Sequence, residues 1–221
     1  MRVLVVAAHP DDEVFGCGGT IARHVAQGDE VCALIVTRGA PEVFPASQVE
    51  TVWGELRAAH EVLGISETYA LDFPAPRLDT VPGYELADGI RHYLTQLQPE
   101  IVYLPHRGDL HSDHRCVYYA TLVAARPLND FIINRLLCYE TLSETEWAPP
   151  SGNDTFIPTV FIDISQYLEV KLRAAACYRS QLKNPCHPRS LETLRSQARL
   201  RGSTAGLLAA EAFMLVREIV K

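Results

Sequence analysis

The sequence of 221 residues is long enough to bury the core of one α/β domain and short for two. Hydrophobic residues make up 48% of the chain and charged residues 21%, values near the globular average, which argues against disorder. The net charge of −7 argues against nucleic-acid binding, and no apolar run approaches the roughly 20 residues of a membrane span.

Apolar runs of strand length alternate with amphipathic segments along the chain. This alternation predicts a single Rossmann-like α/β domain over residues 1–221, with a mostly parallel sheet in the order 3-2-1-4-5 and helices on both faces. In chain order the predicted elements are strand Val3–Ala8, helix Gly18–Gln27, strand Glu30–Thr37, helix Val49–Leu63, strand Thr68–Leu71, helix Tyr84–Leu97, strand Glu100–Leu104, helix Asp113–Ala125, strands Arg135–Glu140 and Thr159–Ile164, helices Ser165–Gln181 and Leu191–Arg201, and a last strand or helix Ala212–Val216.

The N-terminal apolar run leads directly into a polar cluster that begins at His9. A signal peptide would have to include that cluster, so we expect none and predict a cytoplasmic location. The six cysteines are scattered without a C-x-x-C pair, which favours free thiols over disulfides or a structural zinc ribbon.

This first cluster, His9-Pro10-Asp11-Asp12-Glu13, directly follows the first predicted strand. Ligands of open α/β sheets bind outside the carboxyl ends of the strands, so the cluster lies where a site belongs. We expect Gly16-Cys17-Gly18-Gly19 to form a tight turn behind it, because glycine lets the backbone bend sharply. An Asp-rich turn that only caps the next helix would also fit.

A second cluster, from His106 to His114, follows the fourth predicted strand and holds three histidines and two aspartates. The first and fourth strands are neighbours in the predicted order, so both clusters should meet in one crevice. Together they offer two histidines and one aspartate as metal ligands with carboxylates to spare, the composition of a catalytic zinc site. Alone, the second cluster would also fit a solvated loop that caps a helix at Asp113.

With these motifs the chain resembles the zinc-dependent deacetylases of the PIG-L (LmbE-like) family, which remove an acetyl group from N-acetylglucosamine-type sugars. The main matches are Ala8-His9-Pro10-Asp11-Asp12-Glu13 with Gly16-x-Gly18-Gly19-Thr20, and His111-x-Asp113-His114. Weaker matches follow towards the C-terminus at Asp163-Ile164-Ser165, Tyr178-x-Ser180-Gln181, Arg201-Gly202 and Ala210-Glu211-Ala212-Phe213.

The resemblance implies a role for each matching residue. His9, Asp12 and His114 become the zinc ligands, although such a set also binds other divalent ions. Asp11 becomes the general base; its side chain diverges from that of its neighbour Asp12, which leaves it free for proton transfer. His111 assists charge development at the reaction centre and, if protonated, stabilises the oxyanion, with His106 as the alternative for this task. Asp113 is expected to orient His111.

Three loops rich in Pro, Gly and polar residues follow strands two, three and five, at Arg38–Gln48, Asp72–Gly83 and Leu142–Pro158. We expect them to surround the metal and to bind a polar substrate. Trp53, inside a predicted helix, is assigned to the core. The predicted substrate-binding residues, from these loops and the second cluster, are Arg38, Arg77, His106, Asp109 and Trp147.

The sequence therefore predicts a zinc hydrolase that cleaves the linear amide C–N bond of an N-acetyl amino sugar or sugar conjugate, in glycan or secondary-metabolite biosynthesis. Its expected partner is that small molecule, and homo-oligomerisation stays open. Three alternatives remain: a metal-dependent amidase on a thiol-bearing sugar conjugate, a non-catalytic metal or sugar binder, and a Rossmann nucleotide-binding module without hydrolysis. The last has a glycine fingerprint in Gly16-x-Gly18, but Ile21 stands where the third glycine belongs.

Overall fold

The computed structural model describes residues 1–127 and 131–220. Within them, no helix is long and apolar enough to cross a lipid bilayer. The strands are β1 (Arg2–Ala7), β2 (Glu30–Gly39), β3 (Glu67–Ala75), β4 (Ile101–Pro105), β5 (Arg135–Tyr139), β6 (Val160–Asp163) and β7 (Ala210–Glu218). The helices are α1 (Asp12–Ala26), α2 (Ala46–Leu63), α3 (Gly83–Leu97), α4 (Ser112–Ala124), α5 (Leu168–Ala175) and α6 (Leu191–Thr204).

These strands form one sheet in the order β3-β2-β1-β4-β5-β7-β6. The predicted order 3-2-1-4-5 is confirmed, and these five strands pair in parallel. The segment Ala212–Val216, left open between strand and helix, belongs to β7, which pairs antiparallel with both β5 and β6. The sequence of Ala212–Val216 alone could not predict this direction, because the direction of β7 is set by the path of the chain from β6 through α5 and α6.

Both faces of the sheet are covered, and the side chains of the central strands alternate between two cores. Val5 and Tyr103 pack on the face covered by α1, α2, α5 and α6. Leu4 and Val102 pack on the opposite face, covered by α3 and α4. A parallel sheet buried on both sides leaves its strand ends as the place for a site, since the side chains along the strands are used for packing.

Two local predictions were wrong. Helix α1 begins at Asp12 rather than Gly18, so the glycine-rich segment forms no turn. A side chain at Gly16 would place its Cβ 2.3 Å from the Tyr139 ring, so glycine serves close packing of the helix on the sheet. The predicted helix Ser165–Gln181 is the shorter α5, and the Ser165 hydroxyl, outside the helix, donates to the carboxylate of Asp163.

Candidate active site

The two polar clusters meet at the carboxyl edge of the sheet. Strands β1 and β4 pair side by side in parallel, so the residues after their carboxyl ends converge. The ring centroid of His9 lies 4.5 Å from that of His111 and 5.4 Å from that of His114. The structure thus brings together residues that are about one hundred positions apart in the chain.

His9, Asp12 and His114 form a group that could hold a metal ion, with ligand atoms within 4.8 Å of one another. Oδ2 of Asp12 lies 3.5 Å from Nδ1 of His9 and 3.2 Å from Nε2 of His114. Oδ1 of Asp12 is buried and has no hydrogen-bond partner among the residues described. A buried carboxylate oxygen without a partner beside two imidazoles fits a site built for a cation.

The outer ring nitrogens of both histidines are held by carboxylates. Nδ1 of His114 donates to Oδ2 of Asp109 at 2.8 Å, and Nε2 of His9 donates to Oδ2 of Asp113 at 2.9 Å. Such carboxylate–histidine pairs fix the ring orientation of metal-binding histidines and raise their basicity. Asp109 is also bound by the Thr145 hydroxyl at 2.6 Å.

These contacts correct two sequence-based expectations. Asp109 is buried against His114, so it is a positioning residue rather than a substrate contact. The Asp113 carboxylate accepts from His9 and from the backbone N–H of Leu78, and Asp113 holds His111 only through its backbone N–H. Local spacing could not reveal the partners of the Asp113 carboxylate, because those contacts depend on how β1 and the loop after β3 lie against α4.

His9, His111 and Asp113 form a second group with metal-binding spacing. Its carboxylate oxygens and one nitrogen of His111 are already used within the protein. Both carboxylate oxygens of Asp113 accept hydrogen bonds, and Nδ1 of His111 accepts one from the backbone N–H of Asp113. The group with Asp12 is therefore the better candidate metal centre, since it alone offers a vacant carboxylate oxygen.

Without a metal, the candidate ligands carry opposite charges. Burial opposes protonation of His9, but its hydrogen bonds to Asp113 and Asp12 raise the pKa of His9 to about 9. Burial likewise opposes protonation of His114, yet Asp12 and Asp109 raise the pKa of its imidazole well above the usual value. Burial also disfavours charge on Asp12, but His114 and His9 hold the pKa of its carboxyl well below the usual value.

Metal binding should therefore release protons. The raised pKa values of His9 and His114 favour protonated imidazoles in the metal-free protein, whereas a metal ion binds only neutral imidazole. We expect release of about two protons per metal ion, and affinity that rises as the pH approaches 9. Calorimetric titration of Zn²⁺ in buffers of different ionisation enthalpy measures this number; release of less than one proton would contradict the assignment.

Asp11 lies in an unusual backbone conformation at the N-terminus of α1. Its φ angle of 114° is one that residues other than glycine rarely adopt, and such angles persist where the surroundings enforce them. The backbone N–H of Asp11 donates to Oε2 of Glu13 at 3.1 Å. Glu13 is itself fixed through its other oxygen by the Tyr178 hydroxyl at 2.6 Å and by His60 at 3.1 Å.

The electrostatic surroundings of Asp11 suit a general base. Burial raises the pKa of its carboxyl to about 7, a rise that Arg189 opposes and that Asp12 and Glu13 reinforce. A carboxyl with a pKa near the working pH both accepts and returns a proton readily.

Arg189, in the loop before α6, was not predicted as a site residue. Its Nη1 donates to Oδ2 of Asp11 at 2.9 Å and its Nε donates to Oγ of Ser143 at 2.8 Å, while Nη2 lies 3.8 Å from Glu144. The residue type and its neighbours do not mark Arg189 as a catalytic residue. The sequence shows only that it precedes Ser190, which caps α6 by accepting a hydrogen bond from the backbone N–H of Thr193.

His111 is a neutral hydrogen-bond donor in this structure. Its Nδ1 accepts from the backbone N–H of Asp113 at 3.1 Å, which leaves the ring proton on Nε2. Burial, together with the nearby positive charges of His9 and His114, lowers the pKa of His111 to about 4. The protonated form considered from the sequence is therefore disfavoured.

These residues lie at one end of a cleft of about 700 Å³. Trp53 was assigned to the core from the sequence. Its partly buried side chain packs against the hydrophobic core and also lines this cleft. The residues lining the cleft are His9, Pro10, Asp11, Thr37, Gly39, Phe44, Ser47, Gln48, Val49, Thr51, Val52, Trp53, Ala75, Pro76, His111, Glu144, Ser180, Gln181 and Arg189.

The remaining predicted substrate contacts lie outside that lining, as far as the described ranges show. Arg38 pairs with Asp72 at 3.4 Å. Nη1 of Arg77 lies 3.8 Å from Oε2 of Glu42. The other two are His106, buried with Nε2 2.9 Å from the carbonyl oxygen of Asp154, and Trp147, about half exposed with its ring 5.5 Å from His187.

Comparison with known proteins gives consistent results. The sequence signature of the PIG-L family, described as GlcNAc-PI de-N-acetylase, matches residues 4–125. The chain is 32% identical to "Uncharacterized deacetylase YaiS" of Escherichia coli K12 over 80% of this chain and 90% of that protein. It is 29% identical to the diacetylchitobiose deacetylase of Thermococcus kodakarensis, over 97% and 83%. The crystal structure of the conserved protein TT1542 from Thermus thermophilus superposes with a TM-score of 0.80 at 29% identity, covering 99% and 96% of the two chains.

Proposed function

This chain belongs to the PIG-L family, and from that premise we propose that it is a metal-dependent N-deacetylase of an amino sugar or sugar conjugate. One observation carries the proposal. A buried carboxyl with a pKa of about 7, Asp11, adjoins a group of two histidines and one aspartate in an open cleft. The diacetylchitobiose deacetylase relative supports the substrate class.

His9, Asp12 and His114 are the proposed metal ligands, with zinc as the expected ion. When bound, such an ion would acidify a water molecule and polarise the acetyl carbonyl. Asp109 and Asp113 keep the two imidazoles oriented through their outer nitrogens.

Asp11 is the proposed general base and then general acid. It takes the proton of the attacking water and returns it to the amine nitrogen as the amide C–N bond breaks, which yields acetate and the free amino sugar. Nε2–H of His111 donates a hydrogen bond to the carbonyl oxygen as negative charge develops there. Arg189 holds the Asp11 carboxylate towards the cleft.

Acetate release from a panel of N-acetyl amino sugars and their conjugates, combined with metal analysis, tests the proposal. We expect stoichiometric acetate and free amine from at least one neutral N-acetylglucosaminide. Release of a longer acyl group from a thiol-bearing conjugate alone would favour the amidase alternative. Saturable nucleotide binding without any hydrolysis would favour the nucleotide-binding module, and sugar or metal binding without hydrolysis would favour a non-catalytic binder.

We also propose a cytoplasmic location. The cysteines of the chain are free thiols, and three of them, Cys17, Cys32 and Cys138, are buried, which fits a reducing compartment. Fractionation of cells that produce the full-length protein tests this proposal.

Arg189→Ala should lower turnover at neutral pH by about tenfold or more while the metal stays bound. Arg189 lowers the pKa of Asp11, so its loss raises that pKa above about 7 and leaves the base protonated at neutral pH. Raising the pH should restore part of the activity, and Arg189→Lys should retain most of it. The pH profile of kcat measures this; Arg195→Ala, which breaks only an ion pair with Glu169 at the surface, is the control.

An unchanged pH profile in the Arg189→Ala protein would show that the arginine does not act through Asp11. A loss of metal would show that it holds the metal centre together instead.

A further inference from the structure

The cleft extends well beyond the catalytic residues. Its volume of about 700 Å³ is of the size that encloses a drug-sized ligand, so an N-acetylated monosaccharide alone would leave part of it open. The second part is bounded by the N-terminal half of α2 and the loop before it. Its apolar lining residues, which we call the α2 wall, are Phe44, Val49, Val52, Trp53 and Pro76.

The indole of Trp53 gives this wall a flat aromatic surface. The guanidinium carbon of Arg38 lies 5.2 Å from the centroid of the Trp53 ring, a cation–π contact that holds the ring in place. Neutral polar residues also line the cleft, and the hydroxyls of Thr51 and Ser180, which donate to Ser47 and Glu55, can still accept hydrogen bonds from a ligand. These polar lining residues are Thr37, Ser47, Gln48, Thr51, Ser180 and Gln181.

Charge in the cleft is confined to its catalytic end. Among the described lining residues Arg189 is the one lysine or arginine, and it is engaged with Asp11 at 2.9 Å and Glu144 at 3.8 Å. Arg38 lies against the Trp53 ring but outside the cleft lining, and its Nη1 lies 3.4 Å from Oδ1 of Asp72. Among the described lining residues, an anionic group on the α2 wall would therefore meet no cation that is free of a carboxylate partner.

We propose that the natural substrate carries, beyond its N-acetylated sugar, an uncharged group with a flat apolar face that packs on the α2 wall, and that a phosphate in this position is disfavoured. A second neutral sugar and an aryl group share this chemistry. The inference rests on the proposed N-deacetylase function, since the sugar is placed at the end of the cleft that holds Asp11 and His111. The α2 wall would thus select the second group of the substrate, while hydrolysis takes place at the end of the cleft that holds Asp11 and His111.

A matched substrate series tests the preference. The phenyl, methyl and 1-phosphate α-derivatives of N-acetylglucosamine differ only in the group that would reach the wall, and N,N′-diacetylchitobiose adds a second sugar. We expect kcat/KM to fall in the order phenyl, methyl, phosphate, with a ratio of about tenfold or more between the first and last. A kcat/KM for diacetylchitobiose that is lower than that for the methyl derivative would indicate that the α2 wall binds an aryl group rather than a second sugar.

Thr51→Lys adds a cation to the wall at an exposed position of α2. It should lower the phenyl-to-phosphate ratio by about tenfold, because the phosphate gains an ionic partner. Val62→Lys is the matched control, since it adds the same charge at an exposed position of α2 outside the cleft. A ratio that Thr51→Lys leaves unchanged would overturn the proposed position of this group.

A binding measurement separates this inference from the proposed function. The chain has two tryptophans, so Trp147→Phe leaves Trp53 as the single tryptophan, and excitation selective for indole keeps the nine tyrosines silent. Tighter binding of the phenyl than of the phosphate derivative, with a change in Trp53 emission, would support the inference even if no acetate is released and the proposed function fails. Equal or tighter binding of the phosphate derivative overturns the inference whether or not acetate is released, and binding of none of the compounds overturns both.

Discussion

His114→Ala is expected to abolish stoichiometric metal binding and to reduce acetate release to the background rate. His114 is buried between Asp12, at 3.2 Å, and Asp109, at 2.8 Å, so its loss removes one ligand and leaves two carboxylates facing each other. Asp109→Asn should have a weaker effect of the same kind, about 10–100-fold in metal affinity, because it only loosens the ring of His114. Elemental analysis and acetate release, measured together, test both changes.

His92→Ala, on α3 and outside the cleft, is the control for loss of an imidazole as such. Circular dichroism and thermal unfolding show whether the His114→Ala protein keeps its fold. A folded His114→Ala protein that binds one metal ion and turns over at the normal rate would contradict the assigned centre.

Asp11→Asn is expected to keep the metal and to lose about 10²-fold or more in turnover. The amide has nearly the shape of the carboxylate and still accepts a hydrogen bond from Arg189, but it cannot take up a proton. Metal content and kcat are the measurements. Glu144→Gln is the matched control, because Glu144 also faces Arg189 and lines the cleft but is not the proposed base.

Two outcomes would contradict this role. Loss of the metal in Asp11→Asn would make Asp11 a ligand, and a larger loss of turnover in Glu144→Gln than in Asp11→Asn would make Glu144 the base.

The convergence of the two polar clusters could be predicted because it depends on local rules, whereas the choice of His9, Asp12 and His114 within them came from the family resemblance. One cluster follows β1 and the other follows β4, and the pattern of alternating elements places these strands side by side. The loops at the carboxyl ends of parallel strands lie at the same edge of the sheet, so spacing along the chain was sufficient to bring the two motifs together.

Two contacts of the site could not be predicted, since they join distant segments. Asp113 meets its predicted partner His111 only through its backbone N–H, and its carboxylate meets His9 from another strand end. Arg189 comes from a loop that precedes α6 and reaches Asp11 across 178 positions of sequence. Such contacts depend on the docking of loops, on which hydrophobic periodicity carries no information.

A glycine and a tryptophan show the same limit. Gly16 fits a turn by its glycine-rich surroundings, although its actual constraint is the ring of Tyr139 on β5. Trp53 fits a core position by its place in a helix, yet α2 borders the cleft and exposes part of the ring there. In both cases residue type was informative about the need for a special environment, and the tertiary structure decided which environment it was.

Titration of Zn²⁺ into the metal-free protein, with acetate release from a neutral N-acetylglucosaminide as the readout, tests the central claim most directly. We expect activity to rise in proportion to added metal, to saturate at one equivalent, and not to rise in the His114→Ala protein. Full acetate release by the chelated, metal-free protein, or an equal rise of activity in His114→Ala, would contradict it.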